Sequence, residues 1–159
     1  VTLTINESGT INTFSLTATV TDVSIGNITI GDITLNAAKS ASDDDWNINF
    51  TASDDIGDVT VGDLTVNVGK SASFDALGMT VEAGHNLGDV TLGDLAIDAA
   101  TDAHVYVYNW FSATNDAGDF TIGDVTMTAA SGASITVYEY NYVSDGDQGD
   151  QTKKARGVG

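Results

Sequence analysis

Ile56-Gly57-Asp58-Val59-Thr60-Val61-Gly62-Asp63-Leu64-Thr65-Val66 is one of four variants of the same stretch. The others begin at Ile25, Leu87 and Ala117. Their leading glycines, Gly26, Gly57, Gly88 and Gly118, are 31, 31 and 30 residues apart. A constant step of that size is the signature of stacked repeats. Within the stretch, Val59 and Val61 share one parity, and Leu64, Val66 and Val68 share the other. Alternate side chains of a strand point to opposite faces, so a parity flip across Gly62-Asp63 marks a corner between two short strands, 59–61 and 64–68. Gly57-Asp58 forms a similar corner.

Working outward, Ala72, Phe74 and Ala76 are followed by Leu77, Met79, Val81 and Ala83. One period earlier, Trp46, Ile48, Phe50 and Ala52 alternate with Asn47, Asn49 and Thr51, the pattern of a half-buried strand. The reading is all-β: a parallel β-solenoid (β-helix) of about five coils, with about three short strands in each repeat of roughly 31 residues. A β-propeller blade usually needs more residues and four antiparallel strands. A sandwich of hairpins would need consistent two-residue Asn-Gly or Asp-Gly loops, which the repeat lacks.

The solenoid spans 1–143, with coils near 1–24, 25–55, 56–86, 87–116 and 117–143. The first 24 residues join the pattern when shifted by 30, so the chain starts inside a coil. Residues 144–159 read as a polar tail, basic at its end, although Gly149-Asp150 repeats Gly118-Asp119 after 31 residues. Inward ladders are expected at Ile28/Val59/Val90/Phe120, Ile30/Val61/Leu92/Ile122, Ile33/Leu64/Leu95/Val125 and Leu35/Val66/Ile97/Met127. Ala41/Ala72/Ala103/Ala133 lines another wall. With Val105, Val107, Ile135 and Val137 inward, Tyr106, Tyr108, Trp110, Tyr138, Tyr140 and Tyr142 face out as a candidate contact surface; the equal alternative is a second register shift that buries some of them.

The formal charge of the 159 residues is −18, from 23 acidic and 5 basic side chains. That balance argues against nucleic acid and against anionic membrane surfaces. No apolar run is long enough for a helical membrane span. Without cysteine there is no disulfide, thiolate site or Cys nucleophile. The start at Val1 fits a processed, secreted product.

Most of the acids are Asp, and two sets recur with the repeat: Asn27/Asp58/Asp89/Asp119 and Asp32/Asp63/Asp94/Asp124. Their side chains can cap corner N–H groups, bind Ca²⁺ through carboxylate oxygens, or splay into solvent. Capping is the first expectation. Calcium at Asp32, Asp58, Asp63, Asp89, Asp94, Asp119 and Asp124 is the second, although the GGxGxD pattern of calcium-binding β-rolls is absent. No cofactor is required. Thr29/Thr60/Thr91/Thr121 and Thr34/Thr65/Ala96/Thr126 form outward ladders that straddle a corner, unlike the TxT arrays of ice-binding solenoids. His85 and His104 have no partner at metal or triad spacing. The uniform repeats leave no long loops to form a catalytic cleft, so the chain reads as no enzyme.

The GDxTxGDxT-like repeats of residues 25–143 resemble those of secreted parallel β-solenoid surface proteins. More loosely, they are similar to proteobacterial pilus-system repeat proteins. The resemblance implies an extracellular or cell-surface fibre role without catalysis. A solenoid has two open ends, and bare strand edges invite pairing. The expected partner is therefore the chain itself, in a head-to-tail homopolymer, with a glycan or other surface ligand as a further partner. Val1, Leu3 and Ile5 would lie at one end, Lys153, Lys154 and Arg156 in the tail, and the six outward aromatics on the side. The alternative is a monomeric adhesin or an ice- or glycan-binding module, with a polysaccharide-active enzyme ranked behind both.

Overall fold

The computed structural model describes residues 2–11, 14–43 and 45–155. The first partial coil holds β1 (Thr2–Ile5), β2 (Thr10–Ile11) and β3 (Phe14–Val20). The next holds β4 (Ile28–Ile30), β5 (Ile33–Ala37), β6 (Ser42–Asp43) and β7 (Trp46–Ala52). Then come β8 (Val59–Val61), β9 (Leu64–Val68) and β10 (Ser73–Ala83), followed by β11 (Val90–Leu92), β12 (Leu95–Ala99) and β13 (His104–Ala113). The last are β14 (Phe120–Ala129), β15 (Ser134–Val143) and β16 (Gln151–Ala155). No helix occurs among the described residues.

Every named pairing is parallel and joins one coil to the next, as in Ile28↔Val59, Val59↔Val90 and Val90↔Phe120. Bridges from Ile25 through Ile56, Leu87 and Ala117 to Gln148 count four turns, with partial turns beyond. The fold is a parallel β-solenoid with three faces. Face one stacks β4, β8, β11, the first part of β14, and β16. Face two stacks β1, β5, β9, β12 and the rest of β14. Face three stacks β2 with β3, β6 with β7, then β10, β13 and β15.

Strands 59–61 and 64–68 fall where the parity flip places them. Val59 and Val61 are buried around exposed Thr60, and Val66 and Val68 around exposed Asn67. The third strand carries a register shift between Phe74 and Leu77, matching its own parity flip. The core fills the lumen with Leu35, Ile48, Val59, Val66, Phe74 and Val81, all 1% exposed or less.

Two expectations need correction. Met127 belongs to an inward ladder but is 37% exposed, because no described strand lies beyond residues 126–129 of face two. Residues 144–159 are not simply a tail. β16 pairs with β14 from Phe120↔Gln151 to Val125↔Ala155 and opens another coil, although it lacks the apolar residues of earlier copies.

The corner between faces two and three has its own device. Ser8, Ser40, Ser71, Asp102 and Gly132 occupy it in successive coils, with φ between 54° and 75°. Such left-handed geometry costs a side-chain-bearing residue about 1 kcal/mol or more, and glycine little.

Candidate functional site

The Asp ladders are the most regular polar feature of the surface. Asn27 Oδ1 accepts from the backbone N–H of Asp58 at 3.0 Å, and Asp58 Oδ1 from that of Asp89 at 3.1 Å. Asp89 Oδ1 accepts from Asp119 and Asp119 Oδ1 from Asp150, each at 2.9 Å. The second ladder repeats this: Asp32 Oδ1 takes the N–H of Asp63 at 3.1 Å, Asp63 that of Asp94 at 2.9 Å, and Asp94 that of Asp124 at 2.8 Å. Each carboxylate thus caps a corner donor of the next coil, and charge-assisted bonds of this kind offset part of the like-charge repulsion.

The seven aspartates named as calcium ligands therefore stand one per coil in two separate rows. Among the described residues, the acidic or histidine side chains that converge in a group of three are Asp54, Asp55 and His85, whose ligand atoms lie within 4.8 Å of one another. These are already engaged. His85 Nδ1 is 2.7 Å from Asp54 Oδ1, Ser24 Oγ donates to Asp54 Oδ2 at 3.1 Å, and Asn86 Nδ2 donates to Asp55 Oδ1 at 2.9 Å. His85 lacks a partner in the linear sequence, and stacking by one period supplies one. His104 Nδ1 lies 2.8 Å from Ser134 Oγ by the same logic.

A third corner ladder escaped the reading of the sequence. Ser24 Oγ accepts from Asp55 N–H at 3.3 Å, Asp55 Oδ1 from Asn86 N–H at 3.0 Å, and Asn86 Oδ1 from Asp116 N–H at 3.4 Å. Asp116 Oδ1 then accepts from Asp147 N–H at 3.0 Å. Its changing residue types hid it, while its period of 30 to 31 residues was in plain view.

The six aromatics expected to face out do so, on the last two coils of face three. Tyr106, Tyr138, Tyr140 and Tyr142 are exposed, and Tyr108 and Trp110 are half-buried. Trp110 and Tyr140 stack at 4.3 Å between ring centroids, and Tyr106 meets Tyr138 at 5.6 Å. Tyr108 is paired with Gly78 one coil earlier, and its ring lies close to the bare glycine backbone. Partial burial, then the neighbouring Tyr106, Glu82 and Tyr140, push its phenol above the ordinary tyrosine value.

Between the outward aromatics the inward positions change character. Asn109 is 7% exposed, Glu139 pairs with it in register, and Asn141 follows Phe111. Asn141 Nδ2 donates to Gln151 Oε1 at 3.0 Å. A lumen cavity of about 30 Å³, bordered by Ile33, Trp46, Val61 and Leu92, reaches Asn109 and Glu139. The lumen is apolar through the middle coils and polar at its C-terminal end.

Both ends are open edges among the described residues. β1, β2, β3 and β4 bound one, and β15, β16 and the second part of β14 bound the other. Leu16 at the first end is 46% exposed although it continues the inward row of Ile48 and Met79. Of the residues named for the ends, Val1 and Arg156 lie outside the described residues. Leu3, Ile5, Lys153 and Lys154 are described only as backbone, in β1 and β16. Among the described residues, no helix is long and apolar enough to cross a membrane. No family model, curated protein or solved structure matches the chain.

Proposed function

We propose that the protein is a structural, non-catalytic subunit of an extracellular or surface filament, joined head to tail through the two ends of its solenoid. The observation that carries this reading is the pair of open ends among the described residues. There each presents strand edges on all three faces, and core-row side chains such as Leu16 and Met127 are exposed. Covering such edges with another parallel layer satisfies backbone N–H and C=O groups and buries the exposed rows. A heterologous contact that does not close on itself builds a filament. No metal is needed, since the corner carboxylates already cap backbone donors.

Negative-stain electron microscopy and sedimentation of the purified chain test the proposal. Fibres about one solenoid wide are expected, favoured by salt because each subunit carries −18. A monodisperse monomer at all concentrations, with and without Ca²⁺, would sink it.

The stacked Trp110 and Tyr140 favour a second reading for the side of the same body, as an adhesive surface for a glycan or another ligand. Replacing Tyr106, Tyr108, Tyr138 and Tyr140 by Ser should then abolish ligand binding and leave assembly intact.

A further inference from the structure

Resting on the second reading above, that the aromatic side is an adhesive surface, we infer that its ligand is a neutral β-linked glycan chain whose sugar rings stack on Tyr138, Tyr140 and Tyr142.

The concentration of rings is the first observation. All five tyrosines of the chain stand at outward positions of two adjacent strands, β13 and β15. Tyr138, Tyr140 and Tyr142 follow one another along β15, and they are 55%, 44% and 46% exposed. Tyr140 and Tyr142 lie 6.2 Å apart between centroids, with their planes 20° from parallel. One coil earlier, Trp110 stacks against Tyr140 at 4.3 Å and 20°, and Tyr108 follows Trp110 at 6.3 Å and 25°. The half-buried rings of β13 thus hold those of β15 in place. A ligand meets a surface that is already set, and few side chains must be ordered on binding.

The kind of ring is the second observation. Phe50, Phe74, Phe111 and Phe120 are buried, and among the described residues every exposed aromatic ring is a tyrosine. A phenol joins an apolar face to a polar rim. A pyranose has the same division, with C–H bonds on its faces and hydroxyls around its edge. In β-linked chains with equatorial hydroxyls those apolar faces repeat along a flat ribbon. A line of parallel phenols fits such a ribbon better than it fits a lipid chain, which has no polar edge to offer.

Charge decides between neutral and acidic glycans. One outward row crosses face three from coil to coil through Thr17, Asn49, Thr80, Trp110 and Tyr140, and none of these is charged. The neighbouring row, through Asn47 and Tyr108 to Tyr138, is also uncharged. The described strands of this face carry neither Lys nor Arg. Asp75 and Glu82, exposed on β10 of the same face, are acidic. A polyuronate or sulfated glycan would therefore meet repulsion and no cation, on a body of charge −18. A neutral glycan meets amide and hydroxyl groups, at Asn49 and Thr80, in the row that leads to the rings.

Soluble hexasaccharides test this by calorimetric titration of the full chain. Cellohexaose and chitohexaose are the neutral probes, and hexagalacturonate is the anionic one. At least one neutral probe should bind, with an affinity that does not change between low and high salt. Tyr142→Ala should weaken it about tenfold, and Tyr142→Phe should keep most of it. Both variants should melt with the wild type, since the Tyr142 ring is exposed and its one ring contact is with Tyr140. Neutral probes bound equally well by Tyr140→Ala and Tyr142→Ala would overturn the inference. Binding of hexagalacturonate alone, or retention on octyl-agarose without binding of any sugar, lost in the same variants, would overturn the ligand class and leave the adhesive surface standing. No binding to any of these probes would overturn both.

Discussion

Asp58 Oδ1 lies 3.1 Å from the backbone nitrogen of Asp89, a residue of the same type one coil further along. Each Asp in the row is thus both the cap for the next coil and the capped residue of its own. An uncharged oxygen fits the same place as a charged one, since Asn27 performs the same task at the start of the row.

Asp89→Ala and Asp89→Asn separate the two. The alanine variant leaves the Asp119 N–H without its cap and should lose about 1 kcal/mol of stability. The asparagine variant keeps an acceptor at the same place and removes one of three adjacent like charges. It should match or exceed the wild type at low salt, with the difference shrinking as salt is added. Urea unfolding at two ionic strengths measures both, and equal losses in the two variants would show that the charge itself stabilises the corner.

The left-handed corner yields a second expectation. Ser71 holds a φ of 54° in the middle of the stack, where Gly132 serves in the fifth coil. Ser71→Gly removes that strain, at the expense of a more flexible unfolded chain. A net gain of up to about 1 kcal/mol is expected, read as a rise in the denaturation midpoint with unchanged slope. A loss would mean that the Ser71 side chain contributes more than the strain costs.

Tyr108 gives the surface aromatics a spectroscopic handle. Its phenol is raised by partial burial and by its neighbours, so alkaline titration should show a late phase, above the ordinary tyrosine value, from this ring. The sign follows from linkage. The folded state holds this proton more tightly than the unfolded state, so the contribution to stability is full below the ordinary tyrosine value and is lost as pH rises through the raised one. Tyr108→Phe should remove the late phase of the absorbance change, and a late phase that survives would assign it to another ring.

Much of this architecture was legible because a solenoid writes its geometry as a period. The flip between Val61 and Leu64 located a corner, and the 31-residue step located its neighbours in space. His85 shows the converse. Its contact with Asp54 is invisible as a motif and plain as a one-period offset. What stayed hidden is what the period does not carry. Met127 has the right spacing for the core and no described strand to cover it, and residues 151–155 form a strand despite losing the apolar pattern, because β14 offers an edge to pair with. Asn109 and Glu139 sit at inward parity between outward aromatics, and the aromatics drew the eye.

Glu139 gives the last expectation. Its row runs through Leu16, Ile48, Met79 and Asn109, and it stands half-buried where the lumen opens at the C-terminal end. End-to-end assembly would bring the apolar rows of another copy against this end of the lumen. Burying a carboxylate side chain under apolar groups is costly, so this position opposes the joint. Glu139→Gln keeps the shape and removes the charge, and should lower the critical concentration for assembly several-fold. Any loss of one negative charge also eases repulsion between subunits of −18. Asp98→Asn is the control, because Asp98 is exposed on the outer side of face two in a central coil. Sedimentation of both variants at matched salt decides the matter: equal shifts would mean general charge repulsion alone, and a larger shift for Glu139→Gln would place its carboxylate in the joint.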